Sequence, residues 1–367
     1  MQINNRSKGK YFMGKDSVYY KTKARTQKVK LRELIDQLPT FAADYIYSKE
    51  LTTQPSTLIS YCYDLLTFFR FLQAHNSTLY DIAIKDMPLS ILEYLQSEDI
   101  VEYQRYLELN LDGEMHENGK KAIARKMSPL RGLFQYHYER KNINDNPMVL
   151  VKLPKLKKDK NIVRMNNYEV QAILNVIENN AGVAMTDRQR KYAEKTQKRD
   201  LAIMTLMLGT GIRVSECCGL DLNDIDFHVN SMTIVRKGGG QDVLYFSDEI
   251  HQVLDDYITS ERACITPYEE DAPALFYSMK GRRISVDTVE RLVKRYAMMA
   301  VPNKKITPHK LRSTYGTALY RETGDIRLVA DVLGHENINT TIDYYAAMED
   351  EHKRQAANAV NYKRKDT

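Results

Sequence analysis

The sequence contains no run of about 18 apolar residues, the length a membrane-spanning helix needs, so no span is expected. Its first residues, MQINNRSKGKYFMGKDSVYYK, hold no apolar stretch of the kind that marks a secretory signal. Cysteine is sparse: Cys62, Cys217, Cys218 and Cys264 are all there are. None forms a C-x-x-C pair, and the adjacency of Cys217 and Cys218 suits neither zinc nor an ordinary disulfide. Buried thiols in a reducing, cytoplasmic setting are the expectation.

What is present is enough for ordinary cores. The chain has 367 residues, 43% of them apolar, and two domains are the natural expectation at that length. The net charge of +6 is modest, but it is unevenly spread. Residues 1–32 carry ten Lys and Arg against one Asp. Lys120, Lys121, Arg125, Lys126 and Arg131 follow one another with no acid between them. Lys152, Lys155, Lys157, Lys158, Lys160 and Arg164 are opposed only by Asp159. A charge run alone reads equally well as solvated surface. Several such clusters are the footprint of a polyanionic partner.

The densest candidate chemistry lies in residues 307–345, TPHKLRSTYGTALYRETGDIRLVADVLGHENINTTIDYY. His309 and Arg312 are three apart and so share a helix face. His335 follows Gly334, which reads as a helix terminator, and Tyr344 and Tyr345 come nine and ten residues later. This set is a poor metal site, because Arg cannot ligate and no carboxylate or thiol is spaced to join the histidines. It suits a phosphate instead. Arg offers forked donors, His a donor or proton shuttle, and Tyr an oxygen nucleophile. Upstream, Arg213 lies in GTGIRVSE, and Lys237 lies in VRKGGGQ between two strand-like runs.

The order Arg, Lys, His-x-x-Arg, His, Tyr resembles the tyrosine recombinases, most nearly the bacterial Xer group. GTGIRVSEC, TPHKLRSTYGTAL and LGHENINTTIDYY are each similar to that family's signature boxes, and the resemblance covers roughly residues 35–355. It implies a mainly α fold with a small β-hairpin or sheet, built as a helical core-binding domain followed by a mixed α/β catalytic domain. On that reading residues 1–30 are a basic arm without sustained period and 31–142 a SAM-like helical DNA-binding domain. Residues 143–163 are then a basic extended linker and 164–367 the catalytic domain, with a C-terminal helix that uses Met348, Ala356, Ala357 and Val360 to dock in a neighbouring protomer. The layout, with the charged interruption AGVAMTDRQRKYAEKTQK, is similar to Xer-type enzymes that act alone in streptococci and lactococci.

Periodicity supports the helical first half. Leu58, Tyr61, Leu65, Phe68, Phe69 and Leu72 recur at three- and four-residue steps, after a Pro55 that opens their helix. Further helices are expected near 89–96 and 98–109. A helix over 119–140 puts Ile123, Met127, Leu130, Leu133 and Phe134 on one side and leaves Lys120, Lys121, Arg125, Lys126 and Arg131 largely elsewhere, free for DNA together with Lys155, Lys157 and Lys158. In the second half, residues 166–180 read as a capped helix, RDLAIMTLMLGTG as a buried one, and MTIVRK and DVLYFS as a hairpin over Gly238, Gly239 and Gly240, followed by helices near 248–260 and 285–299.

The resemblance assigns roles. Arg213 and Arg312 clamp the non-bridging oxygens of a phosphodiester, and Lys237 protonates the leaving 5′ oxygen. His309 assists deprotonation of the tyrosine, and His335 adds a hydrogen bond to the phosphate. Tyr344 is the nucleophile by its TT-x-x-Y spacing from Thr340 and Thr341, with Tyr345 the alternative. The 3′-phosphotyrosyl product keeps the bond energy, so no metal or other cofactor is implied. The implied partners are a double-stranded recombination site, three further copies in a tetramer on DNA, and an FtsK-type translocase, for resolving chromosome dimers at a dif-like site. The alternatives are an integrase or transposase of a mobile element, a type IB topoisomerase, and a non-catalytic DNA-binding relative. One departure stands out: Gly240, Gln241 and Asp242 occupy hairpin positions where relatives often carry basic residues.

Overall fold

The computed structural model describes residues 16–109, 119–154, 164–179, 186–236 and 238–335, with the side chain of Gln189 excepted. The chain divides into two compact units, Thr22–Lys158 and Asp159–Thr367 together with Met1–Lys21.

The first unit is helical. Its elements are α1 (Val18–Ile35) from Thr22 onward, its first four residues belonging to the second unit, then α2 (Thr40–Lys49), α3 (Pro55–His75), α4 (Ile91–Tyr94), α5 (Ser97–Leu109) and α6 (Lys120–Glu139). The apolar stripe of α3 packs as its spacing requires: Leu58, Leu65, Phe68, Phe69 and Leu72 are buried, and Tyr61 packs at the margin. The stripe of α6 does the same through Ile123, Met127, Leu130, Leu133 and Phe134. Pro55 occupies the first turn of α3, where its missing N–H goes unneeded.

Two expectations are corrected in this unit. Residues 18–30 are helical, whereas the sequence reads there as an arm without period. Only Leu31, Leu34 and Ile35 of α1 are buried, so most of the helix shows no apolar stripe to read. Its Lys, Arg and Gln residues nonetheless lose little side-chain freedom in a helix. The expected linker is also not extended throughout. Pro147–Val149 forms a 3₁₀ turn capped by the Asn146 side chain, and Ile143, Met148 and Val151 are buried in the core of this unit. Met148 and Val151 are anchors while Val149 and Leu150 between them are exposed, so the apolar run does not show which of its residues bury. The rest of that expected linker, residues 155–163, lies outside the described residues.

The second unit holds α7 (Asn167–Asn179), α8 (Asp187–Glu194), α9 (Gln197–Thr210) and α10 (Val214–Cys217). After a small sheet come α11 (Asp248–Tyr257), α12 (Val286–Ala300), α13 (Pro308–Thr323) and α14 (Ile326–Val332). The sheet is antiparallel in the order β1 (Ile225–Asp226), β2 (Ser231–Val235), β3 (Gln241–Tyr245), with Ile234 opposite Asp242 and Val235 opposite Gln241. Helix α9 is apolar on nearly every side and central: Ala202, Ile203, Met204, Leu206 and Met207 are all buried. The charged interruption carries a helix of its own, α8, held by the buried Ala193. Tyr19 and Tyr20 also pack in this unit. The Tyr19 ring lies 4.5 Å from the Arg283 guanidinium, and the missing side chain of Gly219 leaves room for the Tyr20 hydroxyl.

The expected architecture, mainly α with one small sheet, is the observed one. The C-terminal helix expected around Met348, Ala356, Ala357 and Val360 lies outside the described residues. Among the described residues no helix is long and apolar enough to cross a membrane.

Candidate active site

The site begins where α9 stops. Gly211 takes φ +64°, a left-handed cap that glycine adopts without penalty, and its N–H closes on the Met207 carbonyl. A Cβ here would stand 2.5 Å from the Tyr315 ring and 2.9 Å from Leu333, so only glycine lets α13 and the turn after α14 approach this closely. Arg213 follows in extended backbone and caps α10. Glu216, three residues on, is buried and accepts both the Arg213 backbone N–H (2.9 Å) and its Nη1 (2.8 Å). The Arg213 Nη2 donates to the Gly334 carbonyl at 2.9 Å. This guanidinium is thus aimed by a carboxylate on one side and by the His335 turn on the other.

Helix α13 supplies the next pair. Pro308 opens it, and His309 and Arg312 lie on one face as their spacing requires. Arg312 is 5% exposed and donates from Nη1 to the Gly211 carbonyl at 2.5 Å, which ties α13 to the loop that carries Arg213. The Asp325 carboxylate accepts the Arg327 and Leu328 N–H groups and starts α14. Gly334 ends that helix at φ +55°, as the sequence suggests, and the His335 N–H reaches back to the Ala330 carbonyl at 2.9 Å.

The electrostatics of the two histidines place them together with the arginines. Burial pushes the His335 imidazole down from its ordinary 6.5 to about 4, helped by Arg312, Arg213, His309 and Arg236. Burial also lowers His309, with Lys310, Arg312 and Arg213 adding to the effect. Both rings are therefore neutral at pH 7. Arg213, Arg312, His309 and His335, up to 122 residues apart in sequence by numbering (335 − 213), converge on one spot. Lys237 and Tyr344, the other two predicted members, lie outside the described residues, as does Tyr345.

The hairpin that carries Lys237 shows what the sequence reading passed over. Arg236 donates to Asp242 from Nε (2.9 Å) and Nη2 (2.8 Å), to the Val332 carbonyl from Nη2 (2.8 Å), and to Glu216 from Nη1 (3.4 Å). Asp242, an acid where the resemblance leads one to expect basic residues, is thereby taken up within the hairpin. The signal was an adjacent arginine and an acid six residues on, and only the strand register brings them together.

The predicted DNA-contacting residues of the helical unit divide. Lys120 and Lys121 are exposed at the start of α6. Arg125 is held instead by Asp64, with two forked bonds of 2.7 and 3.0 Å, and Lys126 stands 3.7 Å from the same carboxylate. Arg131 donates to the Val151 carbonyl at 3.1 Å. Lys155, Lys157 and Lys158 lie outside the described residues. Among the described residues no group of three His, Cys, Asp or Glu could hold a metal ion.

The model of the phage integrase family matches residues 163–352. Tyrosine recombinase XerC of Caldanaerobacter subterraneus subsp. tengcongensis is 32% identical over 323 residues, which covers 85% of this chain and 83% of that protein. Tyrosine recombinase XerS of Lactococcus lactis subsp. cremoris is 29% identical over 90% of this chain and 98% of its own length. In fold, the chain is similar to the XerH site-specific recombinase bound to a palindromic difH substrate, with a TM-score of 0.62 at 16% identity over 91% of this chain and 94% of that one. With over half its length matched by the family model and a 32% identical relative spanning most of both chains, this chain belongs to the phage integrase family and is a tyrosine recombinase of the Xer type.

Proposed function

We propose that the chain is a site-specific recombinase that cleaves and rejoins DNA through a 3′-phosphotyrosyl link on Tyr344. Four copies assemble on two duplex sites and pass through a Holliday junction, with chromosome-dimer resolution at a dif-like site, in concert with an FtsK-type translocase, as the biological task. The observation that carries this reading is the convergence of two guanidinium groups and two neutral imidazoles on one spot. That combination fits a phosphodiester whose charge grows during reaction. The Tyr344 oxygen attacks phosphorus as the bond from phosphorus to the 5′ oxygen breaks. The phenol proton passes to His309, and Lys237 delivers a proton to the departing 5′ oxygen. Arg213 and Arg312 stabilise the non-bridging oxygens at the five-coordinate stage, and His335 adds a further hydrogen bond.

Covalent trapping of the chain on genomic fragments, followed by sequencing of what is captured, tests the task. Recovery of one short palindrome-like chromosomal site supports it. Recovery of the borders of a mobile element would instead assign the chain to that element. Capture should proceed at full rate in a chelator, because the proposed residues supply every charge and proton transferred. Loss of capture in EDTA, restored by magnesium, would refute this chemistry.

Phosphate binding should also take up protons. The His335 imidazole is held down to about 4 in the free chain, and a phosphodiester beside it favours its charged form, whereas His309 has to stay neutral to receive the phenol proton. Bound chain then holds more protons than free chain above about pH 4, so affinity rises as pH falls toward that value. Folding stability runs the opposite way. The unfolded chain protonates these histidines first, so stability is full above about 6.5 and declines as pH falls toward 4. Calorimetry at pH 6 in two buffers of different ionisation enthalpy reads the uptake directly, and His335→Asn should reduce it. Identical heats in both buffers would contradict the coupling.

A further inference from the structure

We infer that Arg236 is a positioning residue of this site, holding the strand that leads to Lys237 against both the Arg213 loop and the His335 turn. The inference rests on the reading of the site given above. Its ground is that one side chain, 12% exposed, reaches acceptors on three separate segments. Glu216 on α10 is the same carboxylate that aims Arg213. Asp242 lies on β3, across the hairpin from β2. The Val332 carbonyl ends α14, three residues before His335. The fit is close as well as bonded. A Cβ on Gly334 would stand 2.8 Å from the Arg236 Nε and 2.9 Å from its Cζ, so the turn before His335 lies directly against the guanidinium.

The arrangement makes the site a chain of shared partners. Gly334 offers its carbonyl to Arg213 and its bare Cα to Arg236. Glu216 serves both arginines, with one oxygen 2.8 Å from Arg213 and the other 3.4 Å from Arg236. Moving Arg236 therefore disturbs three parts of the proposed site together: the direction of Arg213, the seat of His335, and the strand end that precedes Lys237 in sequence. The hairpin closes on this residue too, since the Arg236 N–H donates to the Gly240 carbonyl and its own carbonyl accepts from Gly239. The turn beyond is glycine-rich, with Gly238 and Gly239 at φ +106° and +89°. Such a turn imposes little order of its own. The anchor has to lie at its base.

A lysine cannot replace this residue, because a single ammonium lacks the planar fork that spans three acceptors at fixed angles. The test compares Arg236→Ala and Arg236→Lys with the unaltered full-length chain in two measurements. The first is DNA affinity against the rate of covalent capture on a nicked substrate. Both variants should bind DNA within about threefold of the unaltered chain and capture it more slowly by up to about 100-fold, the scale of a small displacement of reacting groups. The second is amide hydrogen exchange in the DNA-free chain. The Arg213 and His335 N–H groups, bonded to Glu216 and Ala330, should exchange faster in both variants. Meanwhile the Leu65 and Phe69 amides of the other unit should be unchanged.

Unaltered capture and unaltered exchange in Arg236→Ala would overturn the inference, as would full recovery of both by Arg236→Lys, which would reduce the residue to a point charge. If the unaltered chain binds DNA but never captures it, the proposed function fails. Exchange at Arg213 and His335 then still decides whether Arg236 holds them.

Discussion

Tyr344→Phe is expected to leave DNA binding within a few-fold of the unaltered chain and to reduce covalent capture on a nicked substrate to background. The substitution removes one oxygen and little else. Binding is expected to rest on many phosphate contacts, so it should survive and keep a steep dependence on salt. The reaction needs that oxygen to form the bond to phosphorus, and no hydroxyl from solvent can make the covalent product that the assay detects. Tyr345→Phe is the matched control. Its neighbouring ring has the same size and hydrophobicity, so any effect through folding of this segment should be similar in both variants. Capture by Tyr345→Phe near the unaltered rate, with none by Tyr344→Phe, assigns the nucleophile. The reverse pattern moves it one residue along, and capture by both variants would remove the phosphotyrosyl mechanism from this segment altogether.

Much of this molecule is legible in its sequence where one periodic signal is strong. The α3 stripe of Leu58, Leu65, Phe68, Phe69 and Leu72 specifies a buried face without any knowledge of its partners. Gly334 marks a helix end because it needs a left-handed backbone, and it has one. His309 and Arg312 share a face because 3.6 residues make a turn. What was hidden depends on pairs that are distant or only conditionally apolar. Asp64 takes up Arg125 and Lys126 from 61 and 62 residues away, so two cations that read as free for DNA are held by a buried acid. No local rule shows that pairing. Residues 18–30 fold as helix although none of them is fully buried, Tyr19 and Tyr20 packing only in part. Ile143, Met148 and Val151 are core, yet their spacing has no period. The Arg236 network requires the β2–β3 register before it can be seen. Local periodicity thus carried most of the fold. The candidate-site arginines could be named from their motifs, and Glu216 stands within reach three residues after Arg213, but the Gly334 and Gly211 carbonyls that also hold them came from tertiary structure.

Arg312→Lys should slow capture by about 10²–10³-fold, equivalent to ~3–4 kcal/mol of transition-state stabilisation, while changing DNA affinity little. Arg312 is nearly buried and already gives one arm, Nη1, to the Gly211 carbonyl at 2.5 Å. In the proposed reaction the same guanidinium serves the phosphate as well, so one rigid fork fixes the loop and the substrate together. Lysine keeps the charge but has one compact ammonium, which cannot hold both with the same geometry. The charge that a phosphate feels at a distance is therefore nearly preserved in this variant. The loss should appear in the chemical step and spare the salt slope of binding. Arg312→Ala separates a second effect. It leaves the Gly211 carbonyl without this donor in a buried place, at a cost of about 1–3 kcal/mol in stability, so its melting temperature should fall where that of Arg312→Lys falls less. Single-turnover capture measured well below both melting temperatures distinguishes the two causes. If Arg312→Lys captures at the unaltered rate, the forked contact to the reacting phosphate is absent and Arg312 serves only to tie α13 to Gly211.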